Sequence, residues 1–346
     1  MIRYFFPLVL IFRTGGFFLR AYAIRPYTGG FFYYFYGMAE NVEITKNFID
    51  VRALFASKNP GLLKVIPGFV FSLIKRIVHQ DTINGYIYKH RDKFGLEFVG
   101  AMLVEFGVKL EVVDSTGRLF SGNDLADLSS ILPPSGRFIV ASNHPLGGLD
   151  GLALLHVVGK SRRDVVFPVN DLLMFVPGLK PLFIPINKHG KNTENVEIIH
   201  QTFASDKTVL YFPAGLVSRK QRGGRIVDLE WKKTFVTQAK KYKRDIIPVY
   251  ISGRNTRFFY WLANFRKWIG MKANIEMMLL PDEMMRQRGK TVRLIFGEGI
   301  PGSVFDKTRS DTEWAGVVKG KVYRGVCNTP VRESARDTIA RQQDLI

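Results

Sequence analysis

The chain has 346 residues, of which 46% are hydrophobic, a length and composition that favour a folded globular protein and exclude a disordered one. Its net charge of +20 predicts an anionic partner, which is nucleic acid, an anionic lipid surface or a phosphorylated substrate. We expect an anionic membrane surface and no nucleic acid, because the sequence has no zinc-ligand spacing, RNA-binding sheet motif or helix-turn-helix pattern.

Residues 1–37 differ in composition from the rest of the chain: they contain four arginines, no acidic residue and many aromatic residues. The arginines keep each apolar run below the roughly 20 residues that a membrane-spanning helix needs. Arginines beside the cleavage-like sequence Ala21-Tyr22-Ala23 argue against a signal peptide. We interpret residues 1–37 as an over-extended start before Met38, or as a disordered interfacial anchor, and in either case as lying outside the fold.

Residues 38–107 are predicted to form a helical element that associates with the membrane. Within it, residues 52–79 contain two apolar stretches interrupted by prolines and basic residues, a pattern typical of an interfacial helix or helix pair. A buried core helix is the alternative interpretation of the same pattern.

Three more helices are predicted on the N-terminal side of the first buried strand. Asp81 is expected to cap a helix near residues 82–91. A second helix covers residues 96–106 and ends at Gly107, because glycine readily adopts the left-handed conformation of a helix C-terminus. The third is a short helix near residues 123–132.

Residues 108–310 are predicted to form one α/β domain, because strands alternate with helices along it. The strand candidates are residues 108–113, 137–142, 164–169, 182–187, 207–212, 245–251 and 291–297. The helix candidates are residues 149–158, 194–205, 231–242 and 257–269. Alternation at this spacing favours a mostly parallel central sheet flanked by helices. Residues 311–346 follow as a C-terminal helix and polar tail, in which the single cysteine, Cys327, excludes an intrachain disulfide.

The most informative motif is the sequence SNHPLGGLDG at residues 142–151, which directly follows an apolar run. It places His144 and Asp150 six positions apart across a glycine-rich loop. A strand that ends in a tight turn can hold both side chains toward one cleft. There Asp150 would accept a proton from one imidazole nitrogen, which leaves the other nitrogen free to take a proton from a hydroxyl. The motif therefore predicts a base and its orienting carboxylate, as needed for an alcohol to attack a thioester.

This motif and two later blocks together resemble the phospholipid/glycerol acyltransferase family. The later blocks are YFPAGLVSR at residues 211–219 and IPVYISG at residues 247–253, and all three stand in the order of the family. The resemblance covers roughly residues 80–310 and is nearest to the branch of hemolysin-like proteins and lyso-amino-acid-lipid acyltransferases. It implies that residues 108–310 are an acyltransferase domain with a glycerol-phosphate-acyltransferase-like fold. It also implies that an N-terminal helix pair approaches the membrane.

The resemblance implies that His144 is the general base and that Asp150 orients it. Many members of the family have four residues between these two, whereas this chain has five. Gly147 and Gly148 can absorb the additional residue, because glycine tolerates positive φ. The alternative for Asp150 is the N-cap of the helix that follows at residues 151–158, and both roles can coexist.

Several residues are candidates for binding the substrate. Ala214 stands where the glycerol-phosphate-using members usually carry glutamate, which slightly favours a lyso-amino-acid lipid over lysophosphatidic acid as the acceptor. Gly215, Ser218 and Arg219 remain in this block, together with Asn143 beside the base. Arg219 could bind a phosphate or carboxylate with two parallel hydrogen bonds, and a solvated loop charge is the alternative.

A basic residue between the first two blocks is implied by the resemblance to contact the anionic group of the acceptor. Lys188 is the nearest match, Lys191 is the alternative, and His189 is interpreted as a bystander. A helix begins shortly afterwards, and its N-terminus would add to the binding of an anion.

An aromatic run lies within the predicted helix at residues 257–269. It includes Phe258, Trp261, Phe265 and Trp268, with basic residues on either side. Aromatic residues beside basic ones are typical of a membrane interface. Packing in the protein core is an equally good interpretation of the sequence.

The resemblance as a whole implies an acyltransferase on the cytoplasmic face of the membrane. It would move a fatty acyl chain from acyl-ACP or acyl-CoA to the hydroxyl of a lysolipid, by direct attack on the thioester. No metal and no bound cofactor is expected. A non-catalytic, hemolysin-like protein that perturbs membranes is the alternative, but it gives no reason for the pairing of His144 with Asp150.

Overall fold

In a computed structural model of the chain, the structure describes residues 48–53, 67–126, 128, 131–169, 176–185 and 193–328. The predicted extension at residues 1–37 lies outside the described residues. The same holds for Lys188, for Lys191 and for the polar tail after residue 328.

The described residues form helices on both faces of a central sheet. The α-helices are α1 Gly68–Ile77, α2 Gln80–Lys89, α3 Gly95–Phe106, α4 Gly148–Ser161, α5 Thr193–Ala204, α6 Thr234–Tyr242, α7 Arg257–Trp268, α8 Leu280–Met285 and α9 Asp311–Asn328. The strands are β1 Lys109–Val113, β2 Leu119–Ser121, β3 Phe138–Ser142, β4 Val165–Val169, β5 Phe183–Pro185, β6 Thr208–Tyr211, β7 Arg219–Lys220, β8 Ile226–Val227, β9 Asp245–Ile251 and β10 Thr291–Phe296.

Eight of these strands form one sheet in the order β2-β1-β10-β9-β3-β6-β4-β5. The strands from β9 to β5 run parallel to one another. Strand β10 pairs antiparallel with β9 and parallel with β1, and β2 closes that edge in the antiparallel sense. The sheet confirms the predicted fold class, a mostly parallel central sheet flanked by helices.

Strand β3 lies inside this sheet and is buried on both faces, as central parallel strands are. Phe138 and Val140 point into the apolar core that also contains residues of α2, α3 and α4. Ile139 and Ala141 point into the opposite core, which includes residues of α5, α6 and α9. Residues 138–141 are all apolar because they face two cores, one on each side of the sheet. Strand β3 then ends at the carboxyl edge of the sheet, where the motif at residues 142–151 begins.

The predicted N-cap of α2, Asp81, is wrong, whereas the predicted end of α3 at Gly107 is confirmed. Helix α2 begins at Gln80 after His79, whose φ of 49° ends the preceding helix, so Asp81 lies in the first turn and is not the N-cap. Asp81 instead pairs with Lys75 at 3.0 Å. Gly107 confirms the predicted end of α3, because it occupies the left-handed conformation with a φ of 61°.

The predicted helix at residues 123–132 is wrong as an α-helix over the part of it that the structure describes. A 3-10 helix covers Gly122–Ala126. The carbonyl of Leu128 then accepts a hydrogen bond from the N–H of Ile131, three residues further, and another from the Ser161 hydroxyl.

The basic cluster at residues 240–244 is only partly a solvent-facing surface. Arg244 is fully buried, and its guanidinium donates to backbone carbonyls of Phe138, Phe203 and Lys207 at 2.7–3.2 Å. Burial lowers the pKa of Arg244 to about 10. Lys240 pairs with Asp311 at 2.8 Å. Arg244 thus ties strands and helices together, and it is not available to an external anion.

Helix α1 has an exposed apolar side. Phe69 and Leu73 are 71% and 54% exposed, whereas Phe71 packs on the opposite side with Val51 and Val78. In the part of the chain that the structure describes, no helix combines the length and apolar character needed to cross a membrane.

Candidate active site

Asn143 allows the backbone to leave the sheet at the end of β3. Its side-chain Nδ2 donates to the carbonyl of Ile251 at 2.9 Å, and the N–H of Ile251 donates to its Oδ1 at 2.6 Å. The amide side chain thus continues the pairing between β3 and β9 by one further residue. Because Asn143 is buried in this arrangement, the geometry favours a supporting role over its predicted contact with the substrate.

His144 and Asp150 meet as the motif predicts: the imidazole Nδ1 lies 2.9 Å from Oδ2 of Asp150. The same Oδ2 accepts hydrogen bonds from the N–H groups of Leu146 at 2.8 Å and Gly147 at 3.0 Å. Gly147 adopts a φ of 83° just before α4 begins at Gly148. The five-residue loop therefore closes around the carboxylate, and the longer spacing does not separate the pair.

Asp150 contacts His144 as predicted, but the alternative prediction that it is the N-cap of the following helix is wrong. It is the third residue of α4, and its carboxylate accepts the N–H of Gly147, which is the N-cap. A carboxylate in this position satisfies a free N–H group and complements the positive end of the helix dipole. The start of the helix and the orientation of His144 thus depend on one side chain.

The electrostatics of the pair follow from its burial. Asp150 is fully buried, whereas the His144 side chain is 17% exposed. Burial raises the pKa of the Asp150 carboxyl above its ordinary value, and the hydrogen bonds from His144 and the two backbone N–H groups oppose that rise. An ionised carboxylate only accepts hydrogen bonds, so the proton of a neutral imidazole is assigned to Nδ1. Nε2 then carries the free lone pair of a general base.

Phe212, from the sequence block at residues 211–219, contacts the imidazole of the first block. Phe212 stacks on the imidazole of His144, with ring centroids 4.2 Å apart and planes 19° from parallel. Phe167 of β4 contacts Phe212 edge-on at 5.2 Å. Stacking on Phe212 therefore fixes the plane of the imidazole ring, and the hydrogen bond with Asp150 fixes its orientation within that plane.

A second buried carboxylate, that of Asp228, holds the main chain of His144. Its Oδ1 accepts from the N–H of His144 at 3.2 Å and from the hydroxyl of Ser218 at 2.6 Å, and its Oδ2 accepts from Trp231 Nε1 at 2.9 Å. The N–H of Ser218 donates to the carbonyl of His144 at 2.7 Å. Ser218, a predicted substrate-binding residue, therefore contacts the backbone of the base.

The sequence did not indicate Asp228. It stands in none of the three blocks and lies 84 residues after His144, so no local spacing connects the two. The one local signal was the position of Asp228, nine residues after the end of the second block.

Arg219, another predicted substrate-binding residue, lies in a buried ion cluster. Its Nη2 donates to Oε1 of Glu276 at 2.7 Å and its Nη1 to the carbonyl of Val217 at 2.8 Å. Glu276 is fully buried and also pairs with Arg266 at 2.5 Å. Burial lowers the pKa of Arg219, and Glu276 opposes that change. Arg219 is therefore neither a solvated loop charge nor open to an anion, and its buried ion pair favours a structural role.

Gly215 forms the turn after β6. It has a φ of 65°, and its N–H donates to the carbonyl of Phe212 at 3.0 Å. A Cβ added here would lie 3.4 Å from Nζ of Lys232, an exposed lysine that the structure brings beside the second block. Ala214 is buried against the core that contains Trp231.

The chain is similar in sequence to known acyltransferases. A family model described as acyltransferase matches residues 53–328. A lyso-glycine lipid O-acyltransferase of Bacteroides thetaiotaomicron is 44% identical over 278 residues, which are 80% of this chain and 97% of that protein. A protein of the same name from Phocaeicola vulgatus is 43% identical over 278 residues, which are 80% of this chain and 94% of that protein.

Among solved structures, the chain is similar to a crystal structure of the 1-acyl-sn-glycerophosphate (LPA) acyltransferase PlsC from Thermotoga maritima. The sequence identity is 18% and the TM-score is 0.42, over 68% of this chain and 78% of that one. The family match covers most of the chain, and the relatives align over nearly their whole length. The chain therefore belongs to the acyltransferase family and is an acyltransferase.

Proposed function

We propose that this acyltransferase transfers a fatty acyl chain from acyl-ACP or acyl-CoA to the hydroxyl of a lysolipid, and that the lysolipid is a lyso-glycine lipid. One observation carries the proposal. The His144–Asp150 pair, with 2.9 Å between Nδ1 and Oδ2, stands in a chain that is 44% identical to a relative named as a lyso-glycine lipid O-acyltransferase. Because the chain belongs to a family of enzymes, we favour a catalytic function over the alternative of a non-catalytic, membrane-perturbing protein.

The mechanism needs one base and no covalent acyl-enzyme. Nε2 of His144 takes the proton of the acceptor hydroxyl while the oxygen attacks the thioester carbonyl carbon. Asp150 stabilises the imidazolium that forms, through Nδ1. The tetrahedral intermediate then collapses, the C–S bond breaks, and the imidazolium returns its proton to the leaving thiolate. The products are an ester and a free thiol.

The acceptor is inferred from what stands in the second block. Ala214 is buried in an apolar core, so this position offers no carboxylate of the kind that glycerol-phosphate-using members carry. An N-acylated glycine whose acyl chain bears a 3-hydroxyl would supply the attacking oxygen, and its free carboxylate would need a cation. Lys188 is the residue that we assign to that carboxylate, and exposed Lys232 beside Gly215 is the alternative.

We place the enzyme on the anionic cytoplasmic face of the membrane as a peripheral protein. The net charge of +20 supports this location, because each basic residue near an anionic bilayer contributes about 1 kcal/mol of attraction. A lipid acceptor with long chains also resides in the bilayer, so an enzyme that uses it works at that surface.

The test is lipid mass spectrometry on cells that make the wild type or His144→Ala and are supplied with lyso-glycine lipid. We expect a diacylated glycine lipid with the wild type and none with the variant. His200→Ala is the matched control, because His200 contacts Tyr242 at 2.6 Å and plays no part in the pair. A product from lysophosphatidic acid and none from lyso-glycine lipid would contradict the proposed acceptor.

A further inference from the structure

The outward face of helix α7 carries a continuous aromatic surface, which we call the aromatic stripe. It consists of Phe258, Trp261, Phe265 and Trp268, which are 57%, 56%, 39% and 80% exposed. Successive ring centroids are 5.8, 5.1 and 5.8 Å apart. The spacing of three, four and three residues places the four rings along one side of the helix.

The stripe is not the side of α7 that packs on the protein. Phe259, Tyr260 and Ala263 are buried, and at about 100° per residue they lie on the side opposite the stripe. A helix at the surface of a soluble protein normally has polar residues on the side away from the core. The sequence could not distinguish core packing from a membrane interface, and the structure shows that one set of apolar residues packs on the core while the stripe faces solvent.

Basic residues flank the stripe along the chain, because Arg257 and Lys267 lie at the two ends of α7 and Lys272 follows the helix. Arg257, Lys267 and Lys272 are exposed, and no carboxylate of the described residues lies within ion-pair distance of them. Arg266 differs, because it is bound to the buried Glu276. Large aromatic rings together with unpaired cations complement the headgroup region of an anionic bilayer, where rings enter the interface and cations meet phosphates.

The stripe is attached to the same part of the molecule as the His144 loop. Thr256 caps α7, and its N–H donates to Glu283 of α8 at 2.8 Å. A Cβ added at Gly147 would lie 3.1 Å from Leu280, the first residue of α8. Helix α7 is thus joined through α8 to the loop that carries the base.

We propose that the aromatic stripe and its three cations are the surface by which the enzyme docks on an anionic lipid bilayer. The choice of a bilayer rests on the proposed function, since a lysolipid acceptor resides there. Charge complementarity selects anionic over zwitterionic lipid. A second copy of the chain, or a segment of this chain outside the described residues, would be the competing occupants.

The first experiment is co-sedimentation of the full-length protein with vesicles of phosphatidylcholine alone or mixed with phosphatidylglycerol. We expect binding to the mixed vesicles that falls about tenfold or more in Trp261→Ser/Trp268→Ser, because two large aromatic side chains then no longer leave water. Asn264→Ser, also exposed on α7, is the matched control and should bind as the wild type does. Equal binding by the double variant and the wild type would overturn the proposal.

Tryptophan quenching by brominated phospholipid provides a second and direct readout. The chain has four tryptophans, and Trp231 and Trp314 are buried at 2% and 8% exposure. Quenching on vesicle binding therefore reports Trp261 and Trp268, and it should disappear in Trp261→Phe/Trp268→Phe although binding persists. Binding of the wild type without quenching would place a different face on the bilayer.

Two further measurements test a second copy of the chain as the occupant and separate the docking surface from the proposed function. A change of the wild type from oligomer to monomer in Trp261→Ser/Trp268→Ser on size exclusion would overturn docking in favour of a second copy. Acyl transfer to a detergent-dispersed acceptor should be unchanged in the same variant. If the wild type lacks that activity but binds vesicles through the stripe, the proposed substrate fails and the docking surface stands.

Discussion

Two buried aspartates act on one histidine in different ways. Asp150 contacts the imidazole of His144 through Oδ2, whereas Asp228 contacts the backbone N–H of the same residue. Asp150 stands in the first turn of α4, six positions after the base, and Asp228 comes from the segment after the second block. The first determines which nitrogen carries the proton, and the second determines where the residue stands.

The difference indicates that chemistry and support are divided between two parts of the chain. Loss of Asp150 should remove a charge that stabilises the protonated base while most of the fold remains. Loss of Asp228 should disturb several hydrogen bonds at once, because it binds Ser218 and Trp231 in addition to the backbone of His144. The following variants test this division, from the largest expected effect on activity to the smallest.

His144→Ala should lower kcat by about 10²–10⁴, the usual contribution of a general base. The fold should persist, because the imidazole is partly exposed and no strand depends on it. Acyl-transfer kinetics and thermal melting measure the two effects. Near-wild-type kcat in a folded His144→Ala protein would remove the residue from the mechanism.

Asp150→Asn should lower kcat by about 10², because an amide cannot stabilise the imidazolium as a carboxylate does. It should also change the dependence of stability on pH. Burial raises the pKa of the carboxyl above 3.8, so its contribution to stability is present below pH 3.8 and is lost as the pH rises through the raised pKa. The melting temperature of the variant relative to the wild type should therefore increase from acidic to neutral pH.

The control for Asp150→Asn is a second acidic residue with the opposite shift. The pKa of Asp282 is lowered, mainly because hydrogen bonds from His79 and Arg286 outweigh its partial burial. In Asp282→Asn the relative melting temperature should decrease over the same pH range. The same trend in both variants would contradict the assigned pKa directions.

Asp228→Ala should lower both stability and activity, unlike the two variants above. It leaves the Ser218 hydroxyl and the Trp231 N–H without their acceptor, at about 1–3 kcal/mol for each buried group. We expect kcat to fall about tenfold because the base is displaced. Denaturant unfolding and acyl-transfer kinetics measure the two effects. Ser218→Ala should shift both in the same sense and by less, and lost activity without lost stability would place Asp228 in the chemistry.

Arg219→Met should destabilise the protein and leave activity nearly unchanged below the melting transition. Breaking a buried ion pair costs about 3–5 kcal/mol, here reduced because Arg266 still neutralises Glu276. Denaturant unfolding and the KM for the lysolipid measure the two effects, with Glu276→Gln as the matched variant from the other side of the pair. A raised KM with unchanged stability would instead support the sequence-based prediction that Arg219 binds the substrate.

The features that the sequence predicted well depend on neighbouring residues. The apolar run of β3, the left-handed Gly107 and the contact of His144 with Asp150 each depend on residues within a few positions of one another. The approximate boundaries of the strands and of the helices that flank the sheet were predicted for the same reason, since periodicity is a local property.

The features that it missed depend on distant partners. Asp228 binds the backbone 84 residues away, and Arg219 meets Glu276 57 residues away. Arg244 binds carbonyls between 37 and 106 residues away, and its position in a basic run does not indicate these partners. A charged residue in a single sequence has the same appearance in solvent and in a buried network. Its partner is known only after the chain has folded.

The position of β3 has a further consequence for how the enzyme loses activity. Ile139, Val140 and Ala141 are fully buried and lie between two parallel strands, β9 and β6. Amide hydrogens in such a strand exchange with solvent mainly through global unfolding and not through local fraying. His144 follows this strand directly, so heat or denaturant should abolish turnover when the whole domain unfolds. Residual activity is then a direct assay of the fraction of folded molecules.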